Sequence, residues 1–513
     1  MAGLHDLQPE LIHEICLYLS GKDVWSLCFV SRYLLVIAER LLYRSPCLKN
    51  VEDARLQLTF PMLRRFACQV IKHPEYATLV RHLTLELLGD ECDMIEGPDG
   101  LNWEYEAAEV DRFLAMQSAD ERQDLEVVVA ALAEKNIPNA LVVRTQWMGE
   151  VVALLHYLPN LRSLTFDASS IGPLAHAAMG RVAGGVPAGL LSMMRLDLRY
   201  ATAHATLFGG ERAGFCSDAI VPFMHLPNLT TLSVDDFGGN IVWRTVDILS
   251  WNALMNENDA DDADDAQEID TAVAAAAAAA AGPPEFRSAF PSEAALIQPG
   301  CSSITNLTFT SSFAGSRLLN NILTLPRALE KFEYQLGLSD VPAPPFMTVD
   351  LLPGLRLHKN TLTHLTLSYL DVAGRSFAEE GIMIGSLTEF TALTHLHLPL
   401  MLLIGRPLIN INTEWPSPLT DPIGPLLPSS LVSFKLDLME HYILELCMTV
   451  TGFPDSWLSS KRRLQNLESF TVYGSTHNQN LIRGDQDLLV GPLYPNLEER
   501  FEAAEINIEP PLG

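Results

Sequence analysis

The chain has 513 residues, 48% of them hydrophobic and 19% charged, enough for two to four ordinary domains or one long repeat array. That composition excludes wholesale disorder. With 34 Lys plus Arg against 63 Asp plus Glu, the net charge of -29 argues against nucleic-acid backbones and anionic membrane surfaces as partners. Eight cysteines (16, 28, 47, 68, 92, 216, 301 and 447) are scattered, and no C-x-x-C pair occurs. Neither a disulfide scaffold nor a zinc ribbon is signalled, and reduced, buried thiols are expected. The first twenty residues carry His5, Asp6, Glu10, His13 and Glu14, which does not suit a signal peptide. No apolar run approaches the roughly 20 residues of a spanning helix. A soluble, intracellular chain is expected, in the cytoplasm, the nucleus or both. The sequons at Asn228 and Asn306 then read as chance matches within predicted strands.

Residues 4–46 predict three short helices. Pro9 suits a first helical turn, where its missing N–H costs nothing. Leu11, Ile12, Ile15 and Leu19 follow at helical spacing, and Ser20-Gly21-Lys22 breaks the helix. Asp23 can cap a second helix, with Val24, Leu27 and Cys28 on one face. Ser31 can cap a third, with Leu34, Ile37, Ala38 and Leu41 inward. So small a unit gains from docking onto something larger.

The order Leu7-x-Pro9-Glu10-Leu11, Ile15, Leu19, Asp23, Leu27, Val30-Ser31-Arg32 and Ala38 resembles the F-box. The run from Ala38 to Tyr43-Arg44 resembles F-box proteins of fungal type. One departure is Gln8, where the family often has proline, with Pro9 one place later. The resemblance covers residues 3–48. It implies docking on a Skp-type adaptor, and through it a cullin, within a ubiquitin ligase. Carried over by position, the adaptor-binding candidates are Leu7, Pro9, Glu10, Leu11, Ile15, Asp23, Leu27, Val30 and Arg32. Ile15, Leu19, Leu27 and Val30 could equally be the interior of the three-helix unit. Leu7 and Pro9 lie before or at the first helix, where less of their own domain can cover them, which favours adaptor contact.

From residue 80 onward apolar-x-x-apolar-x-apolar recurs ten times. It reads Val80/Leu83/Leu85, Leu161/Leu164/Phe166, Met193/Leu196/Leu198, Leu229/Leu232/Val234 and Ile304/Leu307/Phe309. It continues as Leu329/Phe332/Tyr334, Leu362/Leu365/Leu367, Leu393/Leu396/Leu398, Leu431/Phe434/Leu436 and Leu467/Phe470/Val472. Seven of the nine gaps between starts lie between 25 and 38 residues. The last two apolar positions, two apart, share one face of a short strand. Helical segments such as Met148 to Leu158 and Arg317 to Leu325 precede strands, and Pro159, Pro227 and Pro326 end them. One strand and one helix cannot bury their own apolar face, whereas stacked units share a core. This resembles leucine-rich repeats, with a period above the usual 20–29 residues and without the Asn or Cys expected after the strand. The expected fold is α/β: a short all-helical F-box followed by an irregular leucine-rich-repeat-like solenoid, a horseshoe or arc.

The predicted organisation is an F-box at 1–48, repeats at 49–251, an insertion at 252–300 and further repeats at 301–513. The insertion carries eight acidic residues between 256 and 270, then an alanine run and Gly282-Pro283-Pro284. It reads as a solvated, disordered segment. Leu125 to Leu132 is an apolar helix candidate, stopped at Asn136-Ile-Pro138, and a degenerate repeat could hide at 141–143.

None of the phosphate-binding, dinucleotide, zinc-protease or nucleophile-elbow motifs occurs. No cofactor and no enzymatic activity are expected. An F-box subunit makes no bonds itself and brings a bound protein substrate close to the charged ubiquitin carrier. Substrate-binding candidates are the solvent-facing strand positions: Arg195, Asp197, Arg199, Lys331, Glu333, His364, His395 and His397. The first five could read a charged or phosphorylated segment. The three imidazoles, on adjacent strands, could bind Zn²⁺ but more commonly form plain polar surface. Two alternatives are an adaptor-bound scaffold acting outside the ligase and an α/β enzyme with an unrecognised site.

Overall fold

The computed structural model describes residues 7–49, 61–86, 119–135, 147–167, 171–180, 185–199, 215, 217–237, 298–312, 314–337, 348–369, 384–399, 402–403, 426–438, 463–474 and 507–509. The acidic and alanine-rich stretch up to residue 297 and the suspected repeat at 141–143 lie outside these residues. The fold is mixed α/β. Among the described residues no helix is long and apolar enough to cross a membrane.

The chain divides into two compact units, with a boundary running through one strand. The first opens with three helices, α1 (Pro9–Leu17), α2 (Gly21–Leu27) and α3 (Arg32–Arg44). Strand β1 (Cys47–Lys49), helices α4 (Pro61–Lys72) and α5 (Pro74–Ala77), and β2 (His82–Glu86) follow. Next come α6 (Ala119–Glu134), α7 (Trp147–His156), β3 (Ser163–Asp167), α8 (Gly172–Ala178), α9 (Ala188–Ser192) and β4 (Arg195–Arg199). Helix α10 (Ser217–Met224) leads into β5 (Thr231–Asp235), the strand that crosses the boundary. In this unit β1, β2, β3 and β4 pair in chain order, all parallel. The second unit holds β6 (Asn306–Ser312), α11 (Ser316–Leu323), β7 (Lys331–Leu336), α12 (Thr348–Arg356) and β8 (His364–Tyr369). Strands β9 (His395–Pro399), β10 (Ser433–Leu438), β11 (Ser469–Gly474) and β12 (Asn507–Glu509) complete it. Strands β6 to β12 are likewise parallel and in chain order.

The recurring apolar triplets are the reason. From the first repeat to the ninth, all three positions are at most 2% exposed, so each strand turns two side chains and its lead-in residue into the core. Each such side chain contributes roughly 1.5–3 kcal/mol by leaving water. The tenth repeat is looser, with Leu467 half-buried and Phe470 5% exposed. Phe434 and Phe470 stack across β10 and β11 at 5.1 Å between ring centroids. Two strands escape the pattern. β1 pairs Leu48 with Leu85, and β12 pairs Ile508 with Val472, each with one apolar residue in place of the spaced pair. β1 also spans the expected boundary at residue 48.

Helix expectations hold in kind. Met148 to Leu158 falls largely on α7, Arg317 to Leu325 on α11, and Leu125 to Leu132 inside α6. A further device was missed. Asn160 Nδ2 donates to Thr78 O at 3.0 Å, Asn228 Nδ2 to Leu191 O at 2.7 Å and Asn466 Nδ2 to Ser429 O at 3.1 Å. The asparagine that ties one repeat to the one before thus stands ahead of the strand, in Pro-Asn-Leu or Gln-Asn-Leu.

In the second unit α11 packs on α12 at Gly354, whose N–H donates to Asn320 Oδ1 at 2.7 Å. A Cβ at Gly354 would meet Asn320 Oδ1 and Leu323 Cβ at 2.9 Å and Asn320 O at 3.0 Å. Gly354→Ala must push the two helices apart and is expected to cost about 1–3 kcal/mol. A thermal melt compared with Leu357→Ser, at an exposed neighbouring position, checks this; equal melting temperatures would refute the close approach.

Candidate docking surface and strand face

The N-terminal helices form a small core. Ile12 and Cys16, one turn apart on α1, are buried with Leu34 of α3. Leu7, Leu27, Tyr33, Ile37 and Leu41 pack partly buried around them. Tyr33 Oη donates to Leu7 O at 3.1 Å, tying the entry of α1 to α3. Pro9 stands in the first turn of α1, behind Gln8, which is extended and gives no side-chain cap. Helix α2 starts earlier than expected. Its cap is Ser20, whose Oγ accepts from Asp23 N at 3.3 Å, so Gly21 and Lys22 are helical. Asp23 sits in the first turn, where its charge suits the helix dipole, and it accepts from Ser20 Oγ at 2.6 Å. Ser31 caps α3 as expected, accepting from Leu34 N at 3.2 Å.

The adaptor-binding candidates separate into two sets. Leu7 and Leu27 pack into the helical core. Leu7 is only partly buried there, with the Tyr33 hydroxyl of α3 bonded to its backbone carbonyl. Pro9, Glu10, Leu11, Ile15, Asp23, Val30 and Arg32 are exposed. Ile15 and Leu19, open to the core reading in sequence, point outward because Ile12 and Cys16 take the inner face. The outer face is strongly apolar. Of the fourteen large hydrophobic residues exposed among the described ones, ten lie between Leu11 and Val36. Tyr18 is 88% exposed, Phe29 74% and Trp25 57%, and the last two meet edge to face at 5.4 Å. Sequence reasoning passed over Tyr18, Trp25 and Phe29. Their signal was an apolar residue on the face opposite the helical period.

On the strands, the positions alternating with the apolar ones align as the triplets dictate. In the first unit His82, Ser163 and Arg195 are register partners, as are Thr84, Thr165 and Asp197. In the second, Lys331, His364, His395, Ser433 and Ser469 form one row, and Glu333, Thr366, His397, Lys435 and Thr471 the next. The charges pair locally. Arg195 Nε holds Asp197 Oδ2 at 2.8 Å, and Lys331 Nζ holds Glu333 Oε2 at 3.0 Å. The Asp197 pair also holds the Arg195 guanidinium more firmly charged. Arg199 is exposed at the end of β4. Arg195, Asp197 and Arg199 belong to the first unit, and the other candidates to the second.

The structure brings His364 and His395 together, with rings stacked 4.1 Å apart at 7°. Each accepts or donates through Nδ1 to its preceding threonine, Thr363 and Thr394, at 2.9 Å. Burial, then His395 and Lys331, holds the His364 imidazole below its usual range. Two parallel stacked rings present faces to each other and do not aim lone pairs at one point, which zinc requires. Among the described residues no group of three His, Cys, Asp or Glu is placed to hold a metal ion. No protein-family model matches the chain, and no curated protein is significantly similar to it in sequence.

Proposed function

We propose that this chain is a substrate-receptor subunit of a Skp–cullin–F-box ubiquitin ligase, acting in the cytoplasm or nucleus and making no bonds itself. In this reading residues 1–48 dock the adaptor, and the remainder is a leucine-rich-repeat-like solenoid that selects a protein target. The observation that carries it is the outer apolar face of the three-helix unit, from Leu11 to Val36. An apolar patch this dense marks a surface that another protein covers. The F-box resemblance names the partner, because Leu11, Ile15 and Val30 belong to both the motif and the face. The strand rows suit the second role, since loops and strand faces on a packed scaffold are where binding specificity resides.

Affinity purification with and without residues 1–48, read by mass spectrometry, tests the proposal. Adaptor and cullin are expected with the intact chain and absent without those residues. Adaptor without cullin would convert the reading to a scaffold, and neither partner would overturn it.

A further inference from the structure

Three arginines stand in one row at the start of the first unit's strands. Arg81 N donates to Arg44 O at 2.9 Å, and Arg162 N donates to Arg81 O at 2.7 Å. The three backbones are therefore stacked at the parallel-strand spacing of about 4.8 Å. All three cations act on His82 in β2, whose imidazole is held below its usual range by burial first and then by Arg44, Arg162 and Arg81. Among the described residues none of the three guanidinium groups forms an ion pair with a carboxylate. This contrasts with Arg195 on the same unit, which is bound to Asp197. Three neighbouring cations without counter-charge are unexpected in a chain of net charge -29.

Two members of the row, Arg81 and Arg162, line a cavity of about 470 Å³ at the same ends of the strands, and Arg44 stands next to Arg81 outside its lining. Arg81, Asn160, Arg162, Ser192, Asn228 and Thr230 line it, with Met194, and no carboxylate does. Arg81 Nη1 donates to Asn160 O at 3.3 Å, which steadies the side chain and leaves its other N–H groups open. Arg44 and Arg162 make no side-chain hydrogen bond among the described residues. Guanidinium forks suit tetrahedral oxyanions, to which they donate paired hydrogen bonds. A cavity of this size fits a small molecule.

We infer that Arg44, Arg81 and Arg162 form a binding site for a small soluble polyphosphate, a chain of phosphoryl groups whose charges match three cations in a row. The inference is independent of adaptor docking. The field of the acidic chain repels anions at long range, so binding rests on these short contacts.

Isothermal titration of the full-length chain with tripolyphosphate at low salt tests it. Saturable one-to-one binding is expected, weakening at least tenfold in Arg162→Gln and in Arg44→Gln. Neither substitution removes a hydrogen bond of the fold, so circular dichroism should be unchanged. Arg195→Gln should bind like the parent, because that cation is already paired. Absence of saturation, or parental affinity in the two glutamine variants, would overturn the site. Tighter binding of a peptide carrying one phosphoserine than of tripolyphosphate would overturn the small-ligand assignment.

Discussion

Trp25→Ala and Phe29→Ala are each expected to weaken capture of a Skp-type adaptor by roughly ten- to thirtyfold, the 1.4–2 kcal/mol range of an aromatic anchor at an interface. The melting temperature should stay within a degree or two of the parent. Both effects follow from exposure. Phe29 is 74% exposed and Trp25 57%, so truncating them removes few internal contacts. What they do contact is each other, edge to face at 5.4 Å, an arrangement that holds both rings in place before a partner arrives. Ile12→Ala is the contrasting variant. Ile12 is 2% exposed and lies against Cys16 and Leu34, so its truncation leaves a cavity costing about 2–5 kcal/mol. In a unit this small that loss unfolds the helices, and adaptor binding falls along with helical signal. Binding assays paired with circular dichroism separate the two outcomes. Unchanged capture by both aromatic variants would remove the outer face from the docking surface and leave the F-box reading without its physical support.

The same helices show what a sequence can and cannot convey. Helical spacing placed α1, α2 and α3 and named Leu34, Ala38, Ile37 and Leu41 as inward, where they are. It could not choose between the two apolar faces of α1. Leu11 and Ile15 share one stripe and Ile12 and Cys16 another, and only the position of α3 decides which is covered. The strands were far more legible. Two apolar residues two apart admit one facing, so the register rows followed from the triplets alone, down to His364 beside His395. What sequence could not supply was the state of the side chains on those rows. Arg195 and Lys331 look available for an anion until their partners, Asp197 and Glu333, are seen two residues along the same strand. Arg44, Arg81 and Arg162 fall just outside the strands, in positions the repeat pattern leaves blank, and came together only through backbone pairing.

The helices of the first unit carry two groups, Glu150 and His156, whose titrations oppose each other. Arg64 of α4 and Glu150 of α7 are bridged at 2.8 Å, with side chains 8% and 1% exposed. Glu150 Oε2 has no hydrogen-bond partner among the described residues. Burial outweighs the Arg64 charge and lifts the Glu150 carboxyl to about 7. Six residues along the same helix, burial and then Lys135 hold the His156 imidazole down at about 4. Above pH 4.5 the unfolded chain releases the Glu150 proton that the native chain keeps, so this group makes stability fall as pH rises to about 7. Below pH 6.5 the unfolded chain binds a proton at His156 that the native chain refuses, so this group makes stability fall as pH drops to about 4. Between about 4.5 and 6.5 the two slopes oppose each other, each worth on the order of a few kcal/mol over its window. That of His156 is reduced by its partial exposure to water. Urea denaturation across this range should therefore show a shallow dependence in the parent. Glu150→Gln should unmask the histidine, with stability declining towards acid. His156→Gln should unmask the carboxyl, with stability declining from pH 4.5 to 7. The two variants crossing in opposite directions is the expected result. Parallel profiles would mean that Arg64 keeps Glu150 ionised throughout, and the bridge would then be a fixed ion pair whose loss in Arg64→Met costs about 3–5 kcal/mol at every pH.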